Sequence, residues 1–414
     1  MVGSGAREHA LAWGLARGAE VVVTPGNPGI AAHGITCVET PATELEADLF
    51  VIGPELPLTQ GLADELRAQG KAVVGPGRDG ARLEASKAFM KAFLRDAGVP
   101  TAHFGVFDRP EEALDFLATM APPYVIKTDG LAAGKGVLVT DDFDEACADV
   151  LEKLSGHAFG HAGKTIVIEE GLDGEECSLL VLCDGVRAAA LAPAQDFKRV
   201  GDGDTGANTG GMGAYAPMAS MSERDVDDVM TRIVEPTLAE LRRRGIDFRG
   251  VLYAGVMMSS RGPQLLEYNV RFGDPETEAL VPLYGDSLVS LLSAVATGTL
   301  GEVPATTGQC AVTVVLSAAG YPEDPRRGDV ISGLGDDGQL ALPREGVVVF
   351  HAGTRRDERG RFVTHGGRVL AVSAVADTLG AARERAYAAC AAITFEGRVM
   401  RQDIARAASE LGEP

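Results

Sequence analysis

The residues with the clearest capacity for chemistry lie in the run Glu267–Asp274, which reads Glu-Tyr-Asn-Val-Arg-Phe-Gly-Asp. Alternate residues of a β-strand share one face, so Glu267, Asn269 and Arg271 are predicted to point the same way. Two oxygen ligands suit Mg²⁺, which takes few protein ligands and completes its shell with phosphate and water. Arg271 could then reach a transferred phosphoryl group. The alternative, a polar face on a half-exposed strand, explains the alternation but not the mixed charges.

A glycine-rich segment, Asp129–Val137, lies between two strand-like runs and carries Lys135. Small residues let backbone amides approach phosphate oxygens, and the lysine adds positive charge. The segment differs from a Walker A loop, because its glycines are one residue too close and Gly136 stands where a Ser or Thr would hold magnesium. It predicts a flexible hairpin over a polyphosphate, although a plain glycine-rich turn explains this motif equally well.

Two lysines favour the phosphate interpretation. Lys127 ends the apolar run Tyr124–Lys127, where a lysine is costly without an anionic partner. Lys87 lies in a predicted helix, Leu83–Leu94, on the face that carries its apolar residues. The alternative is that each lysine snorkels to solvent.

Two polar segments complete the candidate site. The apolar run Ile166–Ile168 leads into Glu169, and Glu176 follows within the same acidic stretch. These residues could hold adenine and ribose, although a solvated acidic turn is the more common structure.

The segment Asp196–Gly213 is predicted to be a long polar loop, which in a compact region is usually functional. Its exposed amides and polar side chains could bind a small zwitterion, and its spacing excludes an EF-hand.

The elements that must position these residues begin with alternating strands and helices up to about residue 85, which predicts a parallel α/β sheet. The strand-like runs are Glu20–Val23, Asp48–Ile52 and Lys71–Val74. Gly3-Ser4-Gly5 opens a predicted helix, Ala6–Leu15, but only Met1-Val2 precede it, so the first strand is predicted to be nearly absent. Glu8 replaces the third glycine of a dinucleotide fingerprint, which makes NAD binding a weak interpretation.

The middle and the end of the chain have other patterns. Between about residues 86 and 300, the predicted antiparallel pairs are Tyr124–Lys127 with Gly136–Thr140, and Val251–Met258 with Gln264–Val270. After about residue 308, the predicted strands are Cys310–Leu316, Val347–His351 and Arg368–Val372, followed by an alanine-rich helix near Leu379–Ile393. The fold is therefore predicted to be multidomain, with α/β and α+β parts.

Composition and charge exclude several classes of partner. The 414 residues carry a formal net charge of −21, a field that repels nucleic-acid phosphates and anionic lipid. No apolar run reaches the ~18 residues of a membrane span, and no basic-then-apolar leader opens the chain. The six cysteines form no Cys-x-x-Cys and no zinc-site spacing, so they are predicted to be reduced and mostly buried. A cytoplasmic protein without nucleic-acid or membrane partners is expected.

Taken together, these motifs resemble the ATP-grasp superfamily, and within it the glycinamide ribonucleotide synthetase family. The runs that carry the resemblance are Gly5–Ala10, Asp129–Val137, Lys198–Tyr215 and Arg271–Glu276. The resemblance implies ATP-dependent ligation of glycine to 5-phosphoribosylamine through glycyl phosphate, in purine biosynthesis, with Mg²⁺ or Mn²⁺. It also implies a monomer with an N-terminal parallel α/β domain (1–85), an ATP-grasp core (86–300) with a mobile lid (about 121–184), and a small α+β C-terminal domain (301–414).

The resemblance also implies roles for individual residues. Those implied to bind ATP are Lys87, Lys127, Gly134, Lys135, Gly136, Val137, Glu169, Glu170, Leu172 and Glu176. Those implied to surround glycine or phosphoribosylamine are Gly5, Arg7, Glu8, Asn27, Gly53, Pro54, Glu55, Asp196, Lys198, Asn208, Thr209, Gly210 and Gly211. Glu267 and Asn269 are implied to ligate the metal, and Lys127, Arg271 and Asp274 to act in catalysis.

Three alternatives stay open from the sequence. A different ATP-grasp ligase, acting on another acid or amine, would keep the phosphate-forming half of the site. A nucleotide-sensing protein without chemistry would lose a metal ligand or a phosphate lysine, and this chain has both. A dinucleotide-dependent oxidoreductase is disfavoured by the missing glycine and the short first strand. The segment Thr40–Asp48 departs from the family pattern, because it leaves little room for a helix.

Overall fold

The computed structural model describes residues 1–130, 136–156, 164–306 and 308–410. The N-terminal part contains five short parallel strands and the helices that connect them. Its elements are β1 Val2–Gly3, α1 Ala6–Leu15, β2 Val22–Pro25, α2 Pro28–Ala32, β3 Thr36–Cys37, β4 Phe50–Val51, α3 Glu55–Gln60, α4 Leu62–Ala68, β5 Val73–Val74 and α5 Arg78–Ala85.

The middle part contains two antiparallel four-stranded sheets, ordered β6-β9-β7-β8 and β11-β10-β16-β17. Its elements are α6 Lys87–Ala97, β6 Phe104–Phe107, α7 Pro110–Leu117, β7 Tyr124–Thr128, β8 Val137–Thr140, α8 Phe143–Leu154, β9 Ile166–Glu170, β10 Glu175–Asp184, β11 Ala188–Ala190, β12 Gln195–Asp196, β13 Arg199–Gly201, β14 Thr205–Asn208, β15 Gly213–Ala216, α9 Glu223–Val229, α10 Glu235–Arg243, β16 Arg249–Ser259, β17 Gly262–Asn269, α11 Glu276–Tyr284 and α12 Leu288–Thr297. Both predicted antiparallel pairs, β7 with β8 and β16 with β17, are confirmed.

The C-terminal part is a five-stranded antiparallel sheet ordered β12-β15-β18-β22-β19, so two strands from the middle part complete it. Its own elements are β18 Cys310–Ser317, β19 Val347–His351, β20 Thr354–Arg356, β21 Phe362–Thr364, β22 Arg368–Ala376, α13 Leu379–Cys390 and α14 Arg406–Glu410. The three predicted strands are confirmed, and the predicted helix is present but ends at Cys390.

Strand β1 has only two residues, yet it lies at the centre of the N-terminal sheet. Val2 pairs with Thr24 of β2 on one side and bridges to Ile52, next to β4, on the other. The strands therefore follow the order β3-β2-β1-β4-β5, all parallel. Helix α1 begins directly afterwards, because the Gly5 N–H donates to Glu8 Oε2 over 2.6 Å and so caps the helix. The predicted parallel α/β arrangement is confirmed.

The helix predicted at Leu83–Leu94 is in fact two helices. Ser86 separates them with an extended backbone (φ −138°, ψ 115°), and its Oγ accepts a hydrogen bond from the Phe89 N–H. Serine is a strong N-cap because its side chain satisfies a free amide of the first turn. Lys87 therefore begins α6 and does not share a face with the apolar residues of α5. The short segment after β3 holds only a 3₁₀ turn, Ala42–Glu44, as the sequence predicts.

One helical stretch, Glu276–Thr297, has the length and apolar composition of a membrane span, which the sequence reasoning did not anticipate. A 3₁₀ turn at Gly285–Ser287 divides it into α11 and α12. Helix α11 packs on α1, β15 and β18, and α12 packs on β10, so more than half of the stretch is buried inside the protein. It is a core element of this fold.

All six cysteines are free. Cys177, Cys183 and Cys390 are buried and the other three are half-buried, which agrees with the expectation that no disulfide joins them. Burial raises the pKa of each of the three buried thiols to about 12, so they stay protonated and unreactive.

Candidate active site

A buried lysine–glutamate–lysine cluster lies where α6 meets the sheet that contains β9 and β7. Glu169 is ion-paired to Lys91 Nζ at 2.8 Å and to Lys127 Nζ at 2.9 Å. Lys91 also donates to Thr101 Oγ1 over 2.7 Å, and that hydroxyl donates to Leu265 O in β17. The cluster thus connects the predicted phosphate lysine, Lys127, to both sheets of the middle part.

Burial sets the protonation of this cluster. It lowers the pKa of Lys91 to about 8, against the opposing effect of Glu169. Burial also disfavours ionisation of Glu169, but Lys127 and Lys91 outweigh it and hold the pKa of that carboxyl below its usual value. The cluster therefore places two lysines beside a single carboxylate, an excess of basic groups that suits a phosphate ligand.

The three residues predicted to share a face lie together at the end of β17. Glu267 lies opposite Gly255 of β16, and Asn269 Oδ1 accepts from Arg271 Nη2 over 3.1 Å. In the described ranges no three His, Cys, Asp or Glu side chains are grouped for a metal ion. A metal at Glu267 and Asn269 would therefore take these two oxygens and complete its shell from phosphate and water, which fits a hard divalent cation.

Positive charge surrounds the predicted metal ligand Glu267. Burial disfavours its ionisation, but Lys198, Lys87 and Lys127 outweigh this effect and lower its pKa. Lys87 is half-buried at the start of α6, where it shares a face with Met90 and Leu94 as predicted but not with Leu83, which lies in α5. The carboxylate is therefore ionised at neutral pH, as a metal ligand must be.

Two glutamates hold Arg271 in place. Its Nη2 donates to Glu84 Oε1 over 2.7 Å, and its Nε lies 3.5 Å from Glu55 Oε2 at the start of α3. Glu84 also accepts from the Val270 N–H over 2.8 Å, which fixes the chain leaving β17. Pro54 precedes α3 as its N-cap residue, so the predicted Pro54–Glu55 segment lies beside Arg271. Sequence reasoning missed Glu84, which comes from a distant helix.

Lys198 lies close to acidic residues from three segments of the chain. Its Nζ is ion-paired to Glu176 of β10 and lies 3.9 Å from Glu267 Oε1. Burial opposes its charge, but Asp196, Glu176 and Glu267 raise the pKa of Lys198 well above its ordinary value. Burial raises the pKa of Asp196 to about 8, with Lys198 opposing and Glu276 adding to the shift. The ribose contact of Glu176 stays a prediction.

The segment Asp196–Gly213 is not an unstructured loop, which corrects the sequence prediction. Strands β13 and β14 form a hairpin between β12 and β15. Gly203 and Asp204 at its tip both have positive φ, 66° and 55°, the conformation that tight hairpin turns require. Arg401 Nη1 pairs with Asp204 at 2.6 Å, and Asp403 accepts from the Gly203 N–H over 2.8 Å. The C-terminal part therefore holds this hairpin in place.

The residues after the hairpin turn back toward β17. The Thr209 N–H and hydroxyl both donate to Lys198 O over 2.8 Å. Gly211 has φ +105°, and a Cβ there would come within 2.4 Å of Pro275 Cδ, an approach that only glycine permits. Asn208 lies earlier, in β14, opposite Arg199. Gly211 is thus brought against Asp274 and Pro275, Thr209 is bonded to Lys198, and Asn208 stays within the hairpin.

Arg368 of β22 brings the C-terminal part into the site. It is ion-paired to Asp274 Oδ1 at 2.9 Å, donates to Asp274 O over 3.1 Å, and donates to Gly210 O. Tyr321 Oη accepts from the Gly210 N–H over 3.0 Å. Sequence reasoning missed both Arg368 and Tyr321, because nothing near them in the sequence marks a contact with residues 210–274.

The predicted N-terminal substrate loop packs around a buried carboxylate. A Cβ at Gly3 or Gly53 would come within 2.5 and 2.2 Å of Glu8, so these glycines allow the close approach. Arg7 Nε donates to Glu8 Oε1 over 2.6 Å, and Arg7 Nη1 donates to Phe272 O over 3.1 Å. The loop therefore adjoins the chain between Arg271 and Asp274, where its predicted substrate role would place it.

Asn27 is engaged by the protein itself. Its Oδ1 accepts from the N–H groups of Gly29 and Ile30 and so caps α2. Its Nδ2 donates to Ser4 O over 2.8 Å and to His351 O over 2.9 Å. Asn27 therefore joins the N-terminal loop to the C-terminal part, and its contact with phosphoribosylamine stays a prediction.

The structure describes part of the predicted phosphate flap, Asp129–Val137. Gly134 and Lys135 lie outside the described residues. Gly136 O accepts from the Thr128 N–H over 2.8 Å, and Val137 pairs with Lys127 across β7 and β8. The hairpin that the sequence predicted thus has its expected strands.

The predicted adenine segment links β9 to β10. Glu170 Oε1 accepts from the His103 N–H over 3.0 Å and from Arg261 Nη2 over 2.8 Å, so its side chain is held by exposed groups. Leu172 is half-buried in the link. The roles of both residues toward adenine stay predictions.

Two antiparallel sheets, with Lys127 and Glu169 on one and Glu176, Glu267 and Asn269 on the other, define the core of an ATP-grasp ligase. Family models of phosphoribosylglycinamide synthetase match three parts of the chain: the N domain at residues 1–84, the ATP-grasp (A) domain at 85–277 and the C domain at 311–407. The chain belongs to this phosphoribosylglycinamide synthetase family. As an ATP-grasp protein it binds ATP and uses a divalent metal.

Similar proteins agree over the full length. The phosphoribosylamine–glycine ligase of Caulobacter vibrioides is 45% identical over 425 residues, which cover 98% of this chain and 96% of that protein. The crystal structure of phosphoribosylamine–glycine ligase from Thermotoga maritima is 36% identical, has a TM-score of 0.83, and covers 97% of this chain and 98% of its own. The biotin carboxylase domain of 2-oxoglutarate carboxylase from Hydrogenobacter thermophilus, 16% identical, covers 96% of this chain and 90% of its own with a TM-score of 0.71, and shares the fold alone.

Proposed function

We propose that this chain joins glycine to 5-phosphoribosylamine with ATP, giving glycinamide ribonucleotide, ADP and phosphate in de novo purine biosynthesis. The observation that carries the proposal is a series of neighbouring groups. Lys198 and Lys127 act on the carboxylate of Glu267, and Asn269 accepts from Arg271. Three residues after Arg271, Asp274 lies against Gly211 at the end of the 196–213 segment. We further propose a soluble cytoplasmic monomer with domains at 1–85, 86–300 and 301–414 and a lid at about 121–184.

The first step activates the acid. An oxygen of the glycine carboxylate attacks the γ-phosphorus of ATP, ADP leaves, and glycyl phosphate forms. Lys127 and Arg271 offset the charge on the transferred group, and Glu84 keeps the Arg271 guanidinium oriented. Glu267 and Asn269 would hold the Mg²⁺ or Mn²⁺. When bound, the ion supplies further neutralisation of phosphate charge.

The second step forms the amide. The amine of phosphoribosylamine attacks the acyl carbon, and phosphate leaves with the bonding electrons. The segment ending in Thr209–Gly211 would hold the glycyl group, and the loop with Arg7 and Glu8 would receive the phosphoribosylamine. Both segments adjoin Asp274, so the two reactants would meet there. Closure of the lid over the acyl phosphate would exclude water, which otherwise hydrolyses it.

The decisive experiment measures ADP release with glycine, with phosphoribosylamine generated in the assay, and with each component left out in turn. Release that needs both substrates and a divalent metal supports the proposal. ADP release with a different acid or amine, and none with this pair, contradicts it. The Lys127→Met variant should lose activity, whereas Lys164→Met, at an exposed lysine beside the same sheet, serves as the matched control.

A further inference from the structure

Asp274 lies where the segments proposed to hold the two reactants meet. Its Oδ1 is ion-paired to Arg368 Nη1 at 2.9 Å, and the same guanidinium donates to Gly210 O. Its Oδ2 lies 3.9 Å from the position of a Cβ on Gly5, in the N-terminal loop. The Asp274 carboxylate therefore faces both the glycine side and the phosphoribosylamine side of the site.

One helical turn after Asp274, the acid Glu278 is fully buried. It lies in the first turn of α11, with 0% of its surface exposed. Within the described ranges neither of its carboxyl oxygens has a hydrogen-bond partner inside 3.5 Å, and the neighbour that acts on it as a looser hydrogen-bond partner is the Asp274 carboxyl. An ionised carboxylate in such a place would be very costly. Burial, reinforced by Asp274 and opposed by Arg368, raises the pKa of Glu278 well above its ordinary value, which favours the neutral acid.

Charged groups reach these two acids from elements packed on α11 and from residues that act on those groups. Helix α1, which packs on α11, contributes Arg7 and Glu8, and Glu55 at the start of α3 acts on Arg7. The 3₁₀ turn at Gly285–Ser287 also packs on α11, and its Asp286 is ion-paired to Arg17. Strand β22 contributes Arg368, which Tyr321 and Arg7 also influence. Strands β15 and β18, which pack on the same helix, contain no charged residue. Of the two acids, Asp274 is therefore the one that is ion-paired to Arg368.

We propose that Glu278 is a positioning residue for the amide-forming step, and that it acts through Asp274. As a fully buried neighbour of Asp274 without an ion-pair partner of its own among the described residues, it supports the Asp274–Arg368 pair from the protein side and keeps the Asp274 carboxyl aimed at the incoming amine. This inference rests on the proposed function of the chain. The C–N bond forms as the amine attacks, the C–O bond to phosphate breaks, and the proton released by nitrogen moves to Asp274 Oδ2 and then to phosphate or solvent.

The two half-reactions separate this role from a purely structural one. ATP labelled with ¹⁸O in its β–γ bridge scrambles the label only when glycyl phosphate forms and reverts, which reports the first step alone. In Glu278→Ala we expect ligation to fall about tenfold or more, less than the ~100- to 10,000-fold of a direct proton acceptor, while isotope scrambling is retained. Glu278→Gln, which is neutral and similar in shape, should restore most of the ligation that alanine loses.

Loss of both half-reactions in equal measure would overturn the proposal, and so would a Gln variant as slow as the Ala variant. Infrared difference spectra of wild type against Glu278→Gln give a second, activity-independent measurement. A carbonyl band of a protonated acid at neutral pH is expected, and its absence would also overturn the proposal. If wild type with glycine and phosphoribosylamine releases no ADP, the proposed function fails, and the infrared band still decides the state of Glu278.

Discussion

The Lys91→Met substitution tests the buried cluster in the active site. Methionine has nearly the length of lysine but no charge, so Glu169 would keep a single partner, Lys127. Removing one partner of a buried ion pair typically costs about 3–5 kcal/mol. However, the pKa of Lys91 falls from 10.5 to about 8 because burial outweighs the attraction of Glu169. At ~1.36 kcal/mol per unit, charged Lys91 is therefore disfavoured by roughly 3 kcal/mol net of that attraction, and methionine removes this cost. The relief offsets most of the usual penalty, which is an upper bound here because the net figure already contains the attraction.

We therefore expect the free energy of unfolding to change by no more than about 1–2 kcal/mol, as a difference of the two terms above. The main effect should be on ATP. With Lys91 gone, Lys127 is drawn more strongly to Glu169 and is less available to phosphate. A strengthening of that pair by about 1.4 kcal/mol corresponds to a tenfold rise in the KM for ATP. The KM for glycine should change little, because Lys91 has no contact with the 196–213 segment.

The pH dependence gives a sharper assay. The folded-state pKa of Lys91, about 8, is below its ordinary value of 10.5, so the cost of burying its charge is present below about pH 8 and disappears as pH rises. Above that pH, wild-type Lys91 is itself neutral, and its KM for ATP should approach that of the variant. The control is Lys153→Met, at a lysine with 3% exposure that is paired to Asp149 in α8, away from the cluster.

Two results would refute this reasoning. One is a KM for ATP in Lys91→Met that equals the wild-type value at pH 7. The other is an equal rise in Lys153→Met, which would mean that any buried lysine has this effect and that the contact with Glu169 has none in particular.

Three further expectations follow from the site and its supports. Glu267→Gln should lower turnover strongly and raise the metal concentration needed for half-maximal activity; identical curves in a magnesium titration would contradict the metal assignment. Burial lowers the pKa of His351 from 6.5 to about 4. The neutral ring therefore contributes roughly 3 kcal/mol to the free energy of unfolding above pH 6.5, and this contribution is lost as the pH falls toward 4. Denaturant melts should show this loss of stability, which should be smaller in His351→Gln and unchanged in His365→Gln, at an exposed histidine. Arg401→Met should lower the free energy of unfolding by about 3 kcal/mol and raise the KM for glycine but not the KM for ATP. Arg406→Met, at an exposed arginine, is the control. An equal rise in both KM values would contradict the role of Arg401 in holding the hairpin.

Local patterns predicted the elements of this fold well. The parallel N-terminal strands, both antiparallel pairs and the C-terminal strands follow from short-range hydrophobic alternation, and the structure has all of them. The division of the helix at Ser86 was readable in principle, since serine before a helical run is an N-cap signal. Continuous apolar spacing across Ser86 concealed it.

The misses in the site have a common physical cause. The Asp202-Gly203 pair is a hairpin signal, but its flanking strands are polar, so the segment reads as a loop. Lys91, Glu84 and Arg368 reach the site by long-range packing, and each looks locally like an ordinary charge on a helix or strand. Only the fold shows that Lys91 is buried against Glu169, so the sequence patterns identified Lys127 and Glu169 but not Lys91.

The clamp between Arg401 and the 199–208 hairpin has a consequence for synthesis of the chain. The ribosome makes the hairpin about two hundred residues before it makes Arg401 and Asp403, which hold the hairpin tip. Through most of translation the nascent chain could therefore fold its nucleotide cleft while the segment proposed for glycine lacks its support. On this view the nascent chain could bind ATP early but could form a reactive acyl phosphate efficiently only after the C-terminal part had been made.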